Sequence, residues 1–482
     1  WVAGLLVALI VTAALYWPLP AHVTTHRALT AFNDSHGWVF DHIARMLEGD
    51  RPLVARTYHA GYPGNSPSPF LGWVPALLAW PLRGLIGPLG AYNVVFLATP
   101  ALTYLAAHLF LRTVTEARPL LVAAGALIYT FAPFALATHA NGQIEKAQLW
   151  VYPLHLWLLH GAVRGPRRWA FLPPVLLVST GTVFTDPYFG LILPIVATPL
   201  AFAWAWTTPG RARALVAAVA ALGLTAAGFA SAWPYYEANL QKAGRQVFSP
   251  ARGSDVRETR IYAEQSPIAQ PADLLLGERR VRTGLDEPNH TTYLVLPVLL
   301  VGAAGVALGG RRRWTALWLL GAGITIAAGP QLAIGNVYQE WRGHPYYLPL
   351  QLVVATGFPI AKGGQYYRAI AVASLGLGAL VTLVLGRLRA PRGEVAAFGL
   401  VAVALFEGVR TTGPHWPRPT EEVVEIAQAV AMGRDPGEGA VLSLPLTASP
   451  ATAGELLLLA AWHGRPTQTL AQYLYPRMAK MQ

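Results

Sequence analysis

Long apolar runs alternate with short polar segments along almost the whole chain. Most of these runs approach the roughly 20 residues that an α-helix needs to cross a bilayer. Prolines within them, such as Pro153 and Pro194, are tolerated in membrane helices because neighbouring helices satisfy the freed backbone groups. The pattern predicts about eleven membrane helices, at residues 1–17, 91–111, 119–137, 147–163, 169–185, 187–206, 213–233, 291–308, 314–330, 366–386 and 394–409.

The composition agrees with this pattern. Of the 482 residues, 54% are hydrophobic and 12% are charged, whereas soluble domains carry about 25% charged residues. The chain contains no cysteine, which excludes disulfides, cysteine–zinc sites and iron–sulfur clusters. Neither a P-loop nor a GxGxxG pattern after a strand is present, so nothing indicates nucleotide binding. We therefore predict an all-α polytopic membrane protein.

The basic residues predict its orientation. Thirteen arginines lie in five short loops, residues 112–118, 164–168, 211–213, 311–313 and 387–392, whereas the short loops on the opposite side hold only Lys146, Arg342 and Lys362. Short cytoplasmic loops are enriched in lysine and arginine. We therefore predict a cytoplasmic N-terminus, with the loops 18–90 and 234–290 and the C-terminal segment outside the plasma (inner) membrane. This distribution explains the net charge of +12 without a nucleic-acid partner.

Two apolar segments do not fit the span pattern. Phe70–Leu89 is long enough to cross, but its prolines and Arg83 interrupt it, and counting it would put the arginine loops on alternating sides. Residues 345–361 contain three prolines. We predict that both are interfacial or re-entrant. Ser35–Leu47 has apolar residues at helical spacing and predicts an amphipathic helix on the bilayer surface.

The C-terminal segment differs from the rest in pattern. After a proline-rich link it predicts three elements: a helix at Thr420–Met432, a strand at Ala440–Leu444 and an apolar helix around Ala453–Trp462. We divide the chain into a transmembrane domain, residues 1–409, and a small external α/β segment, residues 410–482. Because the chain starts at Trp1 and ends without a recognisable stop signal, we expect residues to be missing at both ends.

Acidic residues at three external positions are candidates for chemistry. They are Asp34, followed by Asp41, after the first helix; Glu145 in a short loop; and Asp186 in a turn between two apolar runs. Carboxylates near the membrane need a partner or a function, since their desolvation is costly. Each also has a structural explanation. Asp34 and Asp186 are suitable helix N-caps, and Glu145 could form a surface ion pair with Lys146.

Histidines His139, His155 and His160 suggest a metal or haem site. However, His155 and His160 are five residues apart, which does not place two ligands on one helical face. We interpret these histidines as polar residues inside the helix packing.

The order of several short motifs resembles that of the GT-C class of membrane glycosyltransferases, and more closely a poorly characterised bacterial family within it. The resemblance extends over nearly the whole chain. The motifs include Asn33-Asp34-Ser35, Tyr62-Pro63-Gly64, Gly87-Pro88, Phe131-Ala132-Pro133, His139 through Gln143, Asp186-Pro187-Tyr188, Gly329-Pro330, Tyr366-Tyr367-Arg368 and Ala440 through Pro445.

The resemblance implies a cell-envelope enzyme that transfers a sugar from a polyprenyl-phosphate donor to an acceptor on the outer face of the membrane. Asp34 matches the position of the general base, with Asp41 as a substitute. Glu145 and Asp186 fall where such enzymes place accessory acids or ligands of a divalent metal (Mg²⁺ or Mn²⁺). This loop has Asn141 and Gln143 before Glu145 rather than a second acid, which weakens the metal prediction.

The donor needs cations, because the leaving phosphate carries negative charge. Arg368, at the membrane edge, is the preferred candidate for this role, and the loop 234–290 offers Lys242, Arg245, Arg279 and Arg280. His139, Gln143 and Tyr367 complete the predicted substrate-binding set, which includes Arg368 and Arg280. Two alternatives remain open: a non-catalytic GT-C-like subunit of a larger membrane assembly, and a transporter or flippase of lipid-linked precursors. No inverted repeat supports the transporter. Membrane lipids, the donor lipid and partner subunits are the expected partners.

Overall fold

The structure is a computed structural model. It describes residues 1–28, 40, 43–44, 46–49, 57–59, 62–66, 72–142, 144–242, 269–276, 291–334, 337–355, 366–412 and 420–422. Most of them are helical. The helices are α1 (Val2–Leu15), α2 (Trp73–Thr115), α3 (Pro119–Thr130), α4 (Pro133–Ala140), α5 (Ile144–Ala147), α6 (Val151–Arg164), α7 (Leu172–Thr185), α8 (Pro187–Trp206), α9 (Arg211–Lys242), α10 (Pro271–Leu276), α11 (Leu296–Leu308), α12 (Arg313–Ala327), α13 (Leu350–Ala355), α14 (Ile370–Leu385) and α15 (Arg392–Thr412).

Short antiparallel strand pairs join some of these helices. β1 (His26–Ala28) pairs with β8 (Thr420–Glu422), and β2 (Thr57–His59) pairs with β3 (Tyr62–Ser66). Two further pairs lie between α12 and α13: β4 (Ala333–Ile334) with β5 (Val337–Tyr338), and β6 (Glu340–Trp341) with β7 (His344–Pro345).

A helix lies at each predicted membrane segment. Within the described residues, five helices are long and apolar enough to cross a membrane: Trp73–Thr115, Pro187–Trp206, Arg211–Trp233, Tyr366–Leu385 and Arg392–Thr412. A sixth span results if α3 and α4, which are bent by 48°, are counted as one. The helical membrane architecture is thus confirmed, while the number of about eleven spans stays a prediction.

The predicted interfacial segment forms the first part of α2. At Gly87 the backbone leaves the helix, with φ 75° and ψ 170°, a conformation that glycine adopts without a Cβ penalty. This break separates the segment that begins at Trp73 from the long apolar helix that follows. Similarly, residues 345–361 do not form a continuous helix: β7 ends at Pro345, and only Leu350–Ala355 is helical among the described residues of this range.

The predicted amphipathic helix packs on protein. Phe40, Ile43, Ala44, Met46 and Leu47 are helical, and Phe40 and Ile43 are buried in a cluster that includes Ala76 and Ala79 of α2. An ion pair between Glu48 and Arg83 of α2, at 2.8 Å, adds a polar contact between this segment and α2. The apolar side that we predicted to face the bilayer is therefore covered by α2.

The predicted helix at Thr420–Met432 does not begin as a helix. Thr420–Glu422 is a strand that pairs with His26–Ala28 near the first membrane helix. An isolated helix of this length is only marginally stable in water, so pairing with His26–Ala28 overrides the local pattern. The rest of this range, and the elements predicted at Ala440–Leu444 and Ala453–Trp462, lie outside the described residues.

Helix α14 is the centre of the bundle, since nearly all of its 16 residues are buried. It packs on α3, α11 and α12. Glycine permits the closest approach: a Cβ added to Gly378 would lie 2.7 Å from the carbonyl oxygen of Gly125 on α3. Close glycine contacts bring helix backbones together and are a common means of packing helices in membranes.

The arginine loops meet at one end of this bundle. Arg118 forms an ion pair with Glu394 at 3.1 Å and donates to the Leu388 carbonyl oxygen at 2.9 Å. Arg312 pairs with Glu116, and Arg164 donates to the carbonyl oxygen of Trp204 at 3.4 Å. Arg368 and Arg387 flank the 16 residues of α14, which span about 24 Å. Arg368 is thus at the opposite end from the arginine loops.

Candidate functional site

Asp186 occupies the turn between α7 and α8. Its backbone is extended, and its Oδ1 accepts a hydrogen bond from the backbone N–H of Tyr188 at 2.9 Å. Pro187, which has no N–H to leave unsatisfied, begins the next helix. The predicted N-cap role of Asp186 is therefore confirmed. The side chain is fully buried, however, which an ordinary cap does not require.

Arg368 provides the second contact of this carboxylate. It lies in a 3₁₀ turn, Tyr366–Ala369, directly before α14, and its guanidinium forms an ion pair with Oδ2 of Asp186. The same guanidinium lies 4.6 Å from the ring centroid of Tyr188, within the range of a cation–π contact. Burial raises the pKa of Asp186, and the Arg368 guanidinium opposes this shift. Two chain segments 182 residues apart are thus joined by one buried ion pair.

Glu145 and Lys146 lie in the short helix α5 beside this pair. They are only 3% and 5% exposed, so the interpretation as a surface ion pair is wrong. The charges of both act on Asp186, and that of Glu145 also acts on Arg368. The four charges sum to zero. We call Glu145, Lys146, Asp186 and Arg368 the charged cluster.

Tyrosines surround the charged cluster. Tyr152, in the first turn of α6, is 1% exposed, and the charges of Asp186 and Arg368 act on its hydroxyl. Tyr129 of α3 is also fully buried, and its hydroxyl donates to the carbonyl oxygen of Leu149 at 2.7 Å. The ring of Tyr367, beside Arg368, makes an edge contact with Phe134 at 6.0 Å.

An apolar groove of about 700 Å³ adjoins the cluster. Its walls come from the start of α2, the start of α6 and the second half of α7, and Leu77 and Leu177 at its edge are exposed. The groove therefore opens on the side of the bundle. Its lining residues are Trp73, Val74, Leu77, Trp150, Val151, Leu154, Leu177, Val178, Thr180, Gly181, Thr182 and Phe184.

The groove and the cluster are built by the same chain segments. Phe184 precedes Asp186 by two residues, and Val151 precedes Tyr152 by one. The backbone N–H of Gly72, next to Trp73, donates to the carbonyl oxygen of Thr185 at 3.1 Å. The arrangement can hold a molecule with a long apolar part and a polar head, the head lying at the end of the bundle opposite the arginine loops.

The histidines are held within the helix packing, as interpreted from the sequence. The ring nitrogens of His139 lie 2.7 Å from the Tyr16 hydroxyl and 2.7 Å from the Phe96 carbonyl oxygen, and Phe96 stacks on its ring. The Nε2 of His155 is shared by Ser179 and Thr225. Since both ring nitrogens of His139 are engaged within the protein, its predicted contact with substrate is not supported by these bonds.

The structure brings together Glu145, Asp186, Arg368 and Tyr367 from the predicted set. Four predicted residues lie outside the described ones: Asp34, Asp41, Gln143 and Arg280. Their predicted roles, including that of Asp34 as general base, stay predictions.

The charged cluster does not fit a metal ion. Both carboxylate oxygens of Asp186 are engaged, one by the Tyr188 N–H and the other by Arg368. Two cations also stand among its four charges. Within the described part of the chain, no group of three or more histidine, aspartate and glutamate side chains could hold a metal. The metal role predicted for Glu145 and Asp186 stays a prediction that their contacts do not support.

Two features of the site had no signal in the sequence. Tyr152 lies in an apolar run like many other tyrosines of membrane helices. The groove is formed by segments far apart in the chain: a Cβ added to Gly181 would lie 3.0 Å from Cγ2 of Val74. Lys146 was visible beside Glu145, but only its burial indicates that it belongs to the site.

Comparison with solved structures finds oligosaccharyltransferases from Archaeoglobus fulgidus. Archaeal oligosaccharyltransferase AglB, in complex with an inhibitory peptide and a dolichol-phosphate, aligns with 97% of this chain at a TM-score of 0.53 and 11% identity, over 64% of its own length. An oligosaccharyltransferase in complex with zinc and sulfate aligns with 97% of this chain at a TM-score of 0.51 and 12% identity, over 62% of its length.

A third structure carries a tethered acceptor peptide with the NVT sequon. It aligns with 97% of this chain at a TM-score of 0.50 and 11% identity, over 63% of its length. No family model and no curated protein sequence matches the chain. The chain spans less than two thirds of the length of these structures. At such low identities the likeness is one of fold, and the chain has the membrane fold of these oligosaccharyltransferases, in agreement with the GT-C resemblance.

Proposed function

We propose that the protein is a glycosyltransferase that takes a sugar from a polyprenyl-phosphate donor and transfers it to an acceptor on the outer face of the membrane. The observation that carries this proposal is the apolar groove that ends beside the buried charged cluster. A lipid-linked sugar has the same division into a long hydrocarbon part and a polar head. The fold supports the proposal, because neighbours with this fold are oligosaccharyltransferases.

The groove favours a lipid as the donor carrier. Its walls are almost wholly apolar, and Leu77 and Leu177 are exposed at its edge. A lipid can therefore enter from the bilayer without leaving a hydrocarbon environment. Because the bilayer is as apolar as the groove, the polyprenyl chain gains no hydrophobic free energy on entering, and the groove selects it by packing. One neighbour was solved with a dolichol-phosphate, a ligand of the same chemical class.

The transfer step needs a base and positive charge. The acceptor hydroxyl attacks the anomeric carbon, a new C–O bond forms, and the bond from that carbon to the phosphate oxygen breaks. The hydroxyl proton passes to a carboxylate, for which we propose Asp34. The electron pair leaves with the polyprenyl phosphate, whose negative charge is favoured by nearby fixed cations. We propose Arg280 for this role, because Arg368 is already paired with Asp186 and the four charges of the cluster sum to zero.

The orientation of the arginine loops supports an external site, because the charged cluster lies at the end of the bundle opposite to them. We propose that this end faces the outside of the plasma membrane, in a bacterial cell envelope. The chain spans only 62–64% of the length of the oligosaccharyltransferases, so their peptide acceptor is not carried over.

Transfer in proteoliposomes tests the proposal. The purified protein would receive polyprenyl-phosphate donors, each with one radiolabelled sugar, together with membrane extract as the acceptor source. The variant Asp34→Asn removes the proposed base but keeps a side chain that caps a helix about as well. Transfer should fall about 10²- to 10⁴-fold, whereas the control variant Asp41→Asn should retain it. Equal transfer by wild type and Asp34→Asn would remove Asp34 from the mechanism. A folded wild type that transfers none of the sugars would favour a non-catalytic subunit.

A further inference from the structure

A buried hydroxyl beside the charged cluster has no described protein partner. Tyr152 is 1% exposed, and no hydrogen bond to its hydroxyl is found among the described residues. A buried polar group without a partner costs about 1–3 kcal/mol, so native structures rarely retain one without a ligand or an ordered water. The neighbouring Tyr129 differs, because its hydroxyl donates to the Leu149 carbonyl oxygen at 2.7 Å.

The position of Tyr152 points to a polar ligand. Its ring packs on Phe189, with the centroids 5.0 Å apart, and its hydroxyl is within range of the charges of Asp186 and Arg368. The oxygens of Asp186 already accept bonds from Arg368 and from the Tyr188 N–H. The hydroxyl is therefore held beside an ion pair in which both oxygens of Asp186 are already engaged.

The charge balance of the site indicates which part of a lipid-linked sugar the hydroxyl contacts. Glu145 and Asp186 balance Lys146 and Arg368, so the cluster as a whole is neutral. An anionic phosphate placed against Tyr152 would face the Asp186 carboxylate, whose charge acts on this hydroxyl. A sugar hydroxyl is neutral and can both donate and accept. It suits a neutral cluster of carboxylates, cations and tyrosines better than a phosphate does.

We propose that Tyr152 is a specificity-determining residue whose hydroxyl forms a hydrogen bond with a hydroxyl of the donor sugar, while the lipid part lies in the apolar groove. This inference rests on the proposed function, because it takes a lipid-linked sugar as the ligand. Tyr152 and Val151, neighbours in the first turn of α6, face different surroundings: Val151 lines the groove, and the Tyr152 hydroxyl lies within range of the charges of Asp186 and Arg368. A site built to bond a substrate hydroxyl discriminates strongly against a ligand that lacks it.

Binding of defined lipids tests this inference without requiring turnover. The probes are undecaprenyl phosphate and its mannosyl and glucosyl derivatives, and Kd is measured by native mass spectrometry of the full chain in detergent. We expect wild type to bind at least one glycosyl form more tightly than the bare lipid phosphate. In Tyr152→Phe, which removes only the hydroxyl, this preference should fall about 2- to 10-fold, the effect of one neutral hydrogen bond. The Kd of the bare lipid phosphate should be unchanged.

Tyr129→Phe is the matched control. Its hydroxyl is equally buried but bonded to the Leu149 carbonyl oxygen, so the variant should lose stability and keep the sugar preference. The failures are distinguishable. If wild type binds none of the lipids, the proposed function fails. If it binds bare and glycosyl forms equally, the contact with sugar is wrong while the lipid donor stands. If Tyr152→Phe keeps the full preference, the hydroxyl bonds a buried water, and Tyr152 does not contribute to recognition of the sugar.

Discussion

Replacing Arg368 with glutamine removes the guanidinium that holds the buried carboxylate of Asp186. Both side chains are at most 5% exposed, so neither charge can be solvated in place of the lost contact. Removal of one partner from a buried ion pair typically costs about 3–5 kcal/mol. Asp186→Asn should destabilise helix α8 little, because the asparagine oxygen still accepts a hydrogen bond from the N–H of Tyr188 and preserves the N-cap.

The expected shift in melting temperature follows from chain length. Unfolding entropy is about 2.1 cal/mol/K per residue, so for 482 residues one degree corresponds to about 1 kcal/mol. A cost of about 3–5 kcal/mol lowers Tm by about 3–5 °C. Helices in a micelle retain structure on heating, so the unfolding entropy is smaller than this value. The same loss of stability then lowers Tm by more. Tm would be measured by tryptophan fluorescence in detergent, at matched lipid content.

The double variant Asp186→Asn/Arg368→Gln tests whether the unpaired Asp186 carboxylate causes the loss of stability in Arg368→Gln. It leaves no unpaired charge, so it should be more stable than Arg368→Gln alone, and the two single effects should not add. An unchanged Tm for Arg368→Gln, or strictly additive effects, would refute the argument that the pair is a coupled buried unit.

The pH dependence gives an independent check of the same reasoning. Burial already raises the pKa of Asp186 above its ordinary value of 3.8 against the opposing Arg368, and loss of Arg368 raises that pKa further. A carboxyl with a higher pKa in the folded than in the unfolded protein binds its proton more tightly when folded. The free energy of unfolding therefore falls as pH rises from about 4 toward the raised pKa. Arg368→Gln should be closer to wild type at pH 5 than at pH 8, and equal destabilisation at both would contradict this assignment.

Two further predictions concern orientation and packing. In intact cells an impermeant thiol reagent should label Arg280→Cys and leave Arg312→Cys unlabelled, a clean comparison because the chain has no cysteine; the reverse pattern would invert the topology. Gly378→Ala should lower stability by about 1–3 kcal/mol, because its Cβ would lie 2.7 Å from the Gly125 carbonyl oxygen. Gly399→Ala, with nothing within 4 Å of its Cβ, should leave Tm unchanged or slightly higher, and an equal loss in both variants would show that helix packing is not the cause.

The positions of the helices could be predicted because membrane thickness constrains sequence directly. An apolar run of sufficient length has few alternatives to a helix in a bilayer, and helices lie at all the predicted segments. The turn at Asp186-Pro187 could also be predicted, because Asp is favoured at a helix N-cap and Pro at the first helical position. The helix predicted to begin at Thr420 was wrong there, because Thr420–Glu422 is a strand that depends on its partner His26–Ala28. No local sequence pattern reveals such a distant partner.

The candidate site could be predicted only in part, because its members come from distant segments. Glu145 and Asp186 were found since short loops fix their depth near the membrane. The partner of Asp186 could not be assigned, as Arg368 lies 182 residues away and several other arginines were equally available. Tyr152 carries no distinguishing spacing, and only its burial and its missing protein partner among the described residues separate it from Tyr129.

The buried ion pair bears on function because it is a poor means of stabilisation. Desolvating two charges costs about as much as their attraction returns, and apolar residues of similar size often stabilise a core equally well or better. The centre of this bundle is held in that apolar way, by α14 against α3, α11 and α12. Four buried charges with tyrosines around them stand instead at one end, where an apolar groove opens beside them. Charge at that place is better explained by a polar ligand than by the fold. The comparison between Arg368→Gln and the double variant separates the two explanations, since a stable double variant that no longer distinguishes lipid-linked sugars would assign the pair to recognition.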